Sequence, residues 1–310
     1  MSQDTSRTIE LLQALAPDEG YNLTALPSVR ILRSDRRLSR TPVLYDPGIV
    51  IVCQGRKRGF FGDQLYVYDA QHYLAVSVPV PFDMETDATK ARPLLAIYLH
   101  LDFALAAELM LQIERHATEE RPQAPQSMMS SPMDPDMRIS TLRLLEALNR
   151  PLEAAVLGPA LLRELYFRVL TGEQGGPMRD ALTLKGQYGK IGRALRRIHT
   201  AYAEALTLTE LAMEAGMSVP AFHQHFKAIT QTSPMQYLKS TRLHQARLLM
   251  VRENFTSDAA SHAVGYASAS QFSREFKRLF SFTPAAEARR MRERFALPPA
   301  FPGAQFISSH

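Results

Sequence analysis

Apolar positions along this chain follow two rhythms in turn. Ile9, Leu11, Leu12 and Leu15 fall at helical spacing and end at Pro17, which predicts an amphipathic helix within residues 1–20. From about Tyr21 to Asp102 the pattern changes to short apolar runs: VRIL (29–32), PVLY (42–45), IVIVCQ (49–54), RGFF (58–61), LYVYD (65–69), YLAVSV (73–78) and LLAIYLHL (94–101). Gly48, Gly55, Gly62 with Asp63, and Pro79 to Pro81 separate them. Short strands so punctuated predict an antiparallel barrel or sandwich. Helical spacing returns at Phe103 to Arg115, Asp136 to Asn149 and Pro159 to Leu170, the last with a stripe of Leu161, Leu162, Leu165, Val169 and Leu170. Ala117 to Pro135 is rich in Pro, Ser, Gln and Met and reads as an exposed loop. Residues 172–186 read as an interdomain linker, and the proline-rich tail 296–310 reads as mobile.

The helical rhythm is most informative from Thr207 to Pro284, where one unit occurs twice. TLTELAMEAGMSVPAFHQHFKAITQTSP is followed, from about Ser257, by SDAASHAVGYASASQFSREFKRLFSFTP. Phe222 and Phe272, Phe226 and Phe276, and Lys227 and Lys277 are each 50 positions apart, whereas Gly216 and Gly265 are 49 apart. The second turn therefore carries one extra residue in an otherwise doubled supersecondary unit. In the first copy Thr207 and Glu210 make a capping box, Gly216 supplies a left-handed turn, and Ser218 caps a helix with Pro220 in its first turn. Phe222, Phe226 and Ile229 then point inward, which leaves Pro220, His223, Gln224 and Lys227 outside. In the second copy Ser268 caps, Phe272, Phe276 and Leu279 point inward, and Ser270, Gln271, Arg274 and Arg278 lie outside with Lys277. A short helix, a tight turn and a second helix with a polar outer face is the helix-turn-helix plan. Gln187 to Ala203 precedes the pair as an amphipathic helix, with Ile191, Leu195, Ile198 and Tyr202 facing in. Pro234 to Arg252 joins the two copies as a rigid spacer, with Met235, Leu238, Leu243, Ala246 and Leu249 inward.

Charge sharpens this division. The net +5 conceals 20 Lys/Arg against 23 Asp/Glu in residues 1–186, and 16 against 8 in residues 187–310. The second part therefore suits a polyanion. With 45% hydrophobic residues in 310, the chain has material for two globular domains. No apolar run of about 18 residues predicts a membrane span, and the N-terminal stretch lacks the pattern of a secretory leader. Cys53 is the single cysteine, so an intrachain disulfide is excluded and a reducing bacterial cytoplasm fits.

Residues from about Ile191 to Arg290 resemble the DNA-binding domain of the AraC/XylS transcription regulators, through AGMSVPAFHQHFKAITQTSPMQYLKSTRLHQARLLM and VGYASASQFSREFKRLFSFTPAAE. The stretch from about Asp46 to Leu111 resembles the cupin-like sensor half of a subgroup of that family, through DPGIVIVCQGRKRGFFGDQLYVYDAQHYLAVSVPVPF and ARPLLAIYLHLDFALAAELM. The resemblance implies an α+β chain of two domains. A cupin-like antiparallel β-barrel with helices would span 1–171 (barrel about 21–102, helices 103–171). An all-α DNA-binding domain would span 187–295, with helix-turn-helix units at about 207–230 and 257–280. It further implies promoter DNA, a small-molecule effector and RNA polymerase as partners. A homodimer would pair through the helix around Leu161, Leu165 and Val169. Two recognition helices in successive major grooves require bent or rigidly oriented DNA, since the grooves recur every ~34 Å.

Within this reading Arg274 is suited to guanine and Gln271 to adenine, with His223 and Gln224 as the matching pair in the first copy; each of these reads bases or contacts phosphate only. Lys227, Lys277 and Arg278 suit phosphates. No cofactor or metal is expected: His223 and His225 project to different sides of a helix, and His72 and His100 lack the surrounding ligands of metal-binding cupins. No nucleophile–base constellation or phosphate-binding glycine loop is present either. Two other readings remain, a DNA-tethered cupin-type enzyme and a redox or electrophile sensor in which Arg56, Lys57 and Arg58 activate Cys53.

Overall fold

The computed structural model describes residues 3–116, 126–183 and 187–294. Helix α1 (Gln3–Leu15) precedes the strands β1 (Gly20–Leu23), β2 (Val29–Ser34), β3 (Leu38–Tyr45), β4 (Gly48–Gln54), β5 (Arg56–Phe61), β6 (Gln64–Asp69), β7 (His72–Val76), β8 (Val80–Asp87) and β9 (Leu94–His100). Helix α2 (Phe103–His116), strand β10 (Met128–Pro132) and helices α3 (Pro135–Leu148), α4 (Pro151–Thr171) and α5 (Gly175–Leu182) follow. The C-terminal part is helical: α6 (Gln187–Ala201), α7 (Leu208–Glu214), α8 (Val219–Thr230), α9 (Pro234–Arg252), α10 (Ser257–Ala263), α11 (Ala269–Phe280) and α12 (Pro284–Arg294).

The strands form one curled antiparallel sheet in the order β1-β2-β9-β4-β7-β6-β5-β8-β3, with β10 added to β7. Strand alternation sorts side chains between its faces. Ile49, Ile51, Leu95, Ile97 and Leu99 join a core with α1 and α3 to α5. Val50, Val52, Ala96 and Tyr98, with Tyr45, Tyr68 and Phe82, point into the curl instead. The result is the expected α+β, two-part architecture, the barrel being a half-barrel.

Several segments depart from the sequence pattern for identifiable reasons. Within the stretch expected to be an exposed loop, Met128–Pro132 is a strand, running from Met128 opposite Val76 to Pro132 opposite His72. Met128 and Met129 are buried on opposite faces, so methionines that look like loop composition are core residues; residues 117–125 of that loop lie outside the described residues. Strand β8 hides behind Pro79 to Pro81, although Val80, Phe82, Met84 and Thr86 alternate strictly with less buried neighbours. Helix α4 starts at Pro151 and runs through Pro159, because burial of Ala154, Gly158, Leu161 and Leu165 along one face outweighs the proline's lost hydrogen bond. Leu161, Leu165 and Val169 consequently lie in the chain's own core, at most 5% exposed, and offer no dimer surface. Between 172 and 186, α5 buries Met178 and Ala181; residues 184–186 and the tail 296–310 lie outside the described residues.

Helix α9 is buried on several sides, by Tyr237, Leu238, Thr241, Leu243, His244, Ala246, Arg247 and Met250. Met235, expected inward, is 41% exposed, and Pro234 and Tyr237 turn in around it. Arg247 is wholly buried. It pairs with Glu287 of α12 at 3.4 Å, lies over the Phe280 ring at 4.3 Å, and donates to His244 Nδ1 at 3.2 Å and to the Pro42 carbonyl of β3 at 3.3 Å. Burial pushes its guanidinium down to about 10, with Glu287 opposing, so it stays a cation. Burial, and then Arg247 itself, push His244 well below the ordinary histidine range, which keeps the ring neutral and able to accept that bond. Arg290 also donates to Glu287 at 2.7 Å.

Two further bonds fasten the C-terminal part to the sheet. Tyr237 donates to the Pro79 carbonyl at 3.1 Å and lies 2.7 Å from His199 Nε2. Burial pushes His199 down to about 3, so a neutral ring donates through Nε2 to that hydroxyl, whose one proton is already given to Pro79. Ser127, just before β10, donates to the Ile229 carbonyl at 2.5 Å. Replacing Glu287 by Ala would leave Arg247 buried without its counter-charge, which should cost about 3–5 kcal/mol in urea unfolding; a loss below about 1 kcal/mol would contradict this account of α9.

Candidate nucleic-acid interface

Local chemistry builds the first helix-turn-helix as its sequence predicts. Thr207 caps α7, its side chain accepting from the Glu210 amide at 3.2 Å while Glu210 accepts from the Thr207 amide at 2.8 Å. Gly216 takes φ +63°, and Arg193 of α6 reaches over to donate to the carbonyls of Glu214 and Ala215, both at 3.1 Å, closing the C-terminus of α7. Helix α8 then opens with Ser218 at the cap and Pro220 in the first turn, although the Ser218 side chain makes no capping bond.

The second unit repeats this geometry. Ser268 caps α11 by accepting from the Gln271 amide. Gly265 takes φ +83°, and a Cβ there would stand 2.4 Å from the Ala203 carbonyl oxygen, so glycine is required twice over. The paired rings match closely: Phe222 and Phe226 have centroids 5.4 Å apart, as do Phe272 and Phe276, and all four are wholly buried. Leu279, expected inward, is only partly buried, and Phe280 fills the core beside Phe276 at 4.5 Å.

Inward aromatics force the intervening positions outward. Pro220, His223, Gln224 and Lys227 on α8 are all exposed, and so are Ser270, Gln271, Arg274, Lys277 and Arg278 on α11. The hydrogen bonds that fasten the sheet come from the end of α8 and from α9, and none of these nine residues makes one.

Two features go beyond what the sequence pattern predicts. Both recognition helices end in left-handed non-glycine residues, Gln231 (φ 57°) and Ser281 (φ 65°), again 50 positions apart. Their amides bond the carbonyls of Lys227 and Lys277. Glu275 is the other. It accepts from Lys239 of α9 at 2.9 Å, from the Tyr266 hydroxyl at 2.8 Å and from Gln271 at 3.3 Å. Burial works to raise this carboxyl's pKa, but those hydrogen bonds outweigh it and hold the pKa below the usual value. Glu275 thereby ties α11 to α9 and orients Gln271 along the outer face. An acidic residue in a basic helix is the available signal, and only the fold reveals its partners.

The other candidate chemistry resolves differently. Cys53 is half-buried and lines a cavity with Thr5, Thr8, Met133 and Arg138. Desolvation pushes its thiol up to about 12, which Arg138 only partly offsets, so the nucleophilic thiolate is suppressed. Arg56 and Arg58 pair instead with Asp69, Glu85 and Asp87, and Lys57 points into the curl. His100 bonds Asp46 at 2.9 Å, and Tyr98 donates to the same carboxylate at 2.6 Å. Among the described residues no group of three or more His, Cys, Asp and Glu side chains is placed to hold a metal ion.

Two family models match this architecture, the AraC-type transcriptional regulator N-terminus over residues 25–177 and a helix-turn-helix domain over residues 211–290. The chain belongs to the AraC/XylS family of transcriptional regulators. This AraC/XylS chain is 32% identical over 104 residues to the RCS-specific HTH-type transcriptional activator RclR of Escherichia coli (strain K12), covering 34% of this chain and 37% of RclR. It is 33% identical over 99 residues to the HTH-type transcriptional activator RhaS of Yersinia pestis (strain Pestoides F), covering 32% of this chain and 36% of RhaS. The matched region thus spans little more than a third of these relatives. Among solved structures, ToxT from Vibrio cholerae O395 bound to (E)-4-(8-methylnaphthalen-1-yl)but-3-enoic acid has a TM-score of 0.59 at 10% identity, covering 84% of this chain and 98% of ToxT. ToxT from strain SCE256 with an unsaturated fatty acid bound scores 0.55 at 10% identity, over 83% and 94% of the two chains. This second likeness is one of fold. No helix among the described residues is long and apolar enough to cross a membrane.

Proposed function

We propose that the chain is a sequence-specific double-stranded-DNA-binding transcription regulator, acting in the bacterial cytoplasm and without catalytic activity, whose N-terminal half senses a small molecule. The observation that carries this reading is the matched partition of α8 and α11, aromatics buried on one side and nine polar or first-turn residues exposed on the other. Gln271 and Arg274, and on α8 His223 and Gln224, stand where base edges are read; Lys227, Lys277 and Arg278 suit phosphates. Helix α9 holds both units in one body, so the DNA must present two major grooves in a fixed relation.

Regulation follows from where the sheet is fastened. Pro42 of β3, Pro79 after β7 and Ser127 before β10 bond α9 and the end of α8. A ligand in the curl that favours one docking arrangement shifts the disposition of the DNA-reading helices, and one binding both arrangements equally shifts nothing. The acids bound in the ToxT structures favour a small-molecule effector in this fold. RclR and RhaS are named activators, which favours RNA polymerase as the further partner.

A second copy of the chain would pair through the outer face of α4, where Leu152 is 77% and Val156 66% exposed. Replacing both with aspartate should halve the solution mass while leaving the melting temperature almost unchanged; a wild type already monomeric at micromolar concentration would remove this interface. On DNA selected by the full chain, Lys227→Ala should weaken binding to all sequences alike and lower the salt slope by about 1, whereas Arg274→Ala should relax preference at one base pair by roughly 1–3 kcal/mol. Unchanged affinity and preference in both variants would refute the assignment of these faces.

A further inference from the structure

The two recognition helices are built alike but furnished differently at a few positions. Gln271 stands where the first unit has Ala221, and Glu275 where it has His225, each pair 50 apart. Tyr266 follows the turn glycine Gly265, whereas Met217 follows Gly216. The first unit reaches the same glycine turn and the same buried ring pair with none of the three. Glu275, Tyr266 and Gln271 are therefore not requirements of the helix-turn-helix plan, and what they do together is particular to the second unit.

In that unit Glu275 is held from three directions. Its Oε1 accepts from Lys239 Nζ of α9 at 2.9 Å and from Gln271 Nε2 at 3.3 Å, and its Oε2 accepts from the Tyr266 hydroxyl at 2.8 Å. The Glu275 side chain is only 13% exposed, although Gln271, one helical turn away, lies open on the outer face. A lone pair one turn apart on a helix is a weak contact. Here the donors from the spacer helix and from the turn fix the carboxylate that meets Gln271.

The consequence for Gln271 can be counted. A carboxylate only accepts, so the amide turns its nitrogen to Glu275 and its oxygen away. That nitrogen carries two N–H groups. With one given to Glu275, Gln271 offers DNA one donor and one acceptor. Adenine presents one acceptor (N7) and one donor (N6–H) in the major groove, which this set matches. Guanine presents two acceptors, N7 and O6, and needs two donors. An amide with both N–H groups free can give both to guanine.

We propose that Glu275 is a positioning residue, which confines the Gln271 amide to the orientation that reads adenine and excludes guanine. The proposal rests on the reading of Gln271 as a base contact and names what sets its preference. Glu275 acts through Gln271, and its negative charge beside a polyanion weakens binding to every sequence alike.

Competition binding by the full chain, on DNA it has selected and varied one base pair at a time, tests this. Gln271→Ala marks the base pair that Gln271 reads by the preference it loses. At that pair the wild type should favour adenine over guanine about tenfold or more, and Glu275→Ala should cut the ratio to about twofold or less. Unselected DNA should bind Glu275→Ala at least as tightly as the wild type, because an acid has been removed from beside the phosphates. In Glu275→Gln the new amide can keep its oxygen toward Lys239 and Gln271 and donate to the Tyr266 hydroxyl. That variant should stay within about threefold of the wild-type ratio. In the Gln271→Ala background, Glu275→Ala should no longer alter the ratio. A marked base other than adenine, a Glu275→Ala variant that keeps the preference, or one that weakens all sequences alike would overturn the positioning role and leave Gln271 a reader. If Gln271→Ala alters preference at no base pair, the base contact and the inference built on it both fall.

Discussion

Arg247 is the constraint on which the arrangement turns. A guanidinium with no exposed surface, held between Glu287, His244, the Phe280 ring and the Pro42 carbonyl, admits one geometry. Its carrier, α9, packs on the core of the first unit through Tyr237 and Leu238 and on that of the second through Leu243, Ala246 and Met250. One buried charge thus relates three bodies: the two DNA-reading units and the curled sheet. An apolar residue of similar volume would be cheaper to bury. The charge contributes direction, because any displacement of β3 or α12 leaves it short of a partner.

The same logic separates parts of the molecule that hold a shape from parts that respond. Arg247, Tyr237 and His199 have each found protein partners within the chain, although Arg247 Nε itself is unbonded. The Thr86 hydroxyl, buried inside the curl, has not. Between Thr86 and the attachment of α9 run β8 and its pairing with β3, since Thr86 lies near one end of β8, Pro79 just before the other, and Pro42 faces Asp83 across the ladder. A shift of β8 on filling the curl would be felt at Pro42 and Pro79, where α9 is attached.

Much of this architecture is legible in the amino-acid sequence. The doubled motif, its capping box, both turn glycines and the exposure of the nine outer-face positions named on α8 and α11 follow from helical periodicity, because a helix that buries Phe222 and Phe226 has only one face left. The curled sheet is legible as a class, but β8 and β10 are obscured by prolines and by methionines in a polar context. Proline misleads again at α4, where tertiary burial overrides a local cost. Periodicity places α9 over Pro234–Arg252 but does not sort its faces, since a helix buried on many sides has no distinct one, and Met235 shows the consequence by pointing outward. Nor can it reveal the Glu275 links, which depend on helices apart in sequence meeting side by side.

The arrangement depends on one feature above the rest: α9 makes the two helix-turn-helix units a single rigid reader. Hydroxyl-radical footprinting of the full chain, on DNA recovered by binding selection from genomic fragments, addresses it directly. Two protected stretches about one helical turn apart, roughly 10 base pairs, on the same face of the duplex are the expected result. A single protected stretch, or two whose spacing varies from one selected site to another, would show that the units do not act as one body.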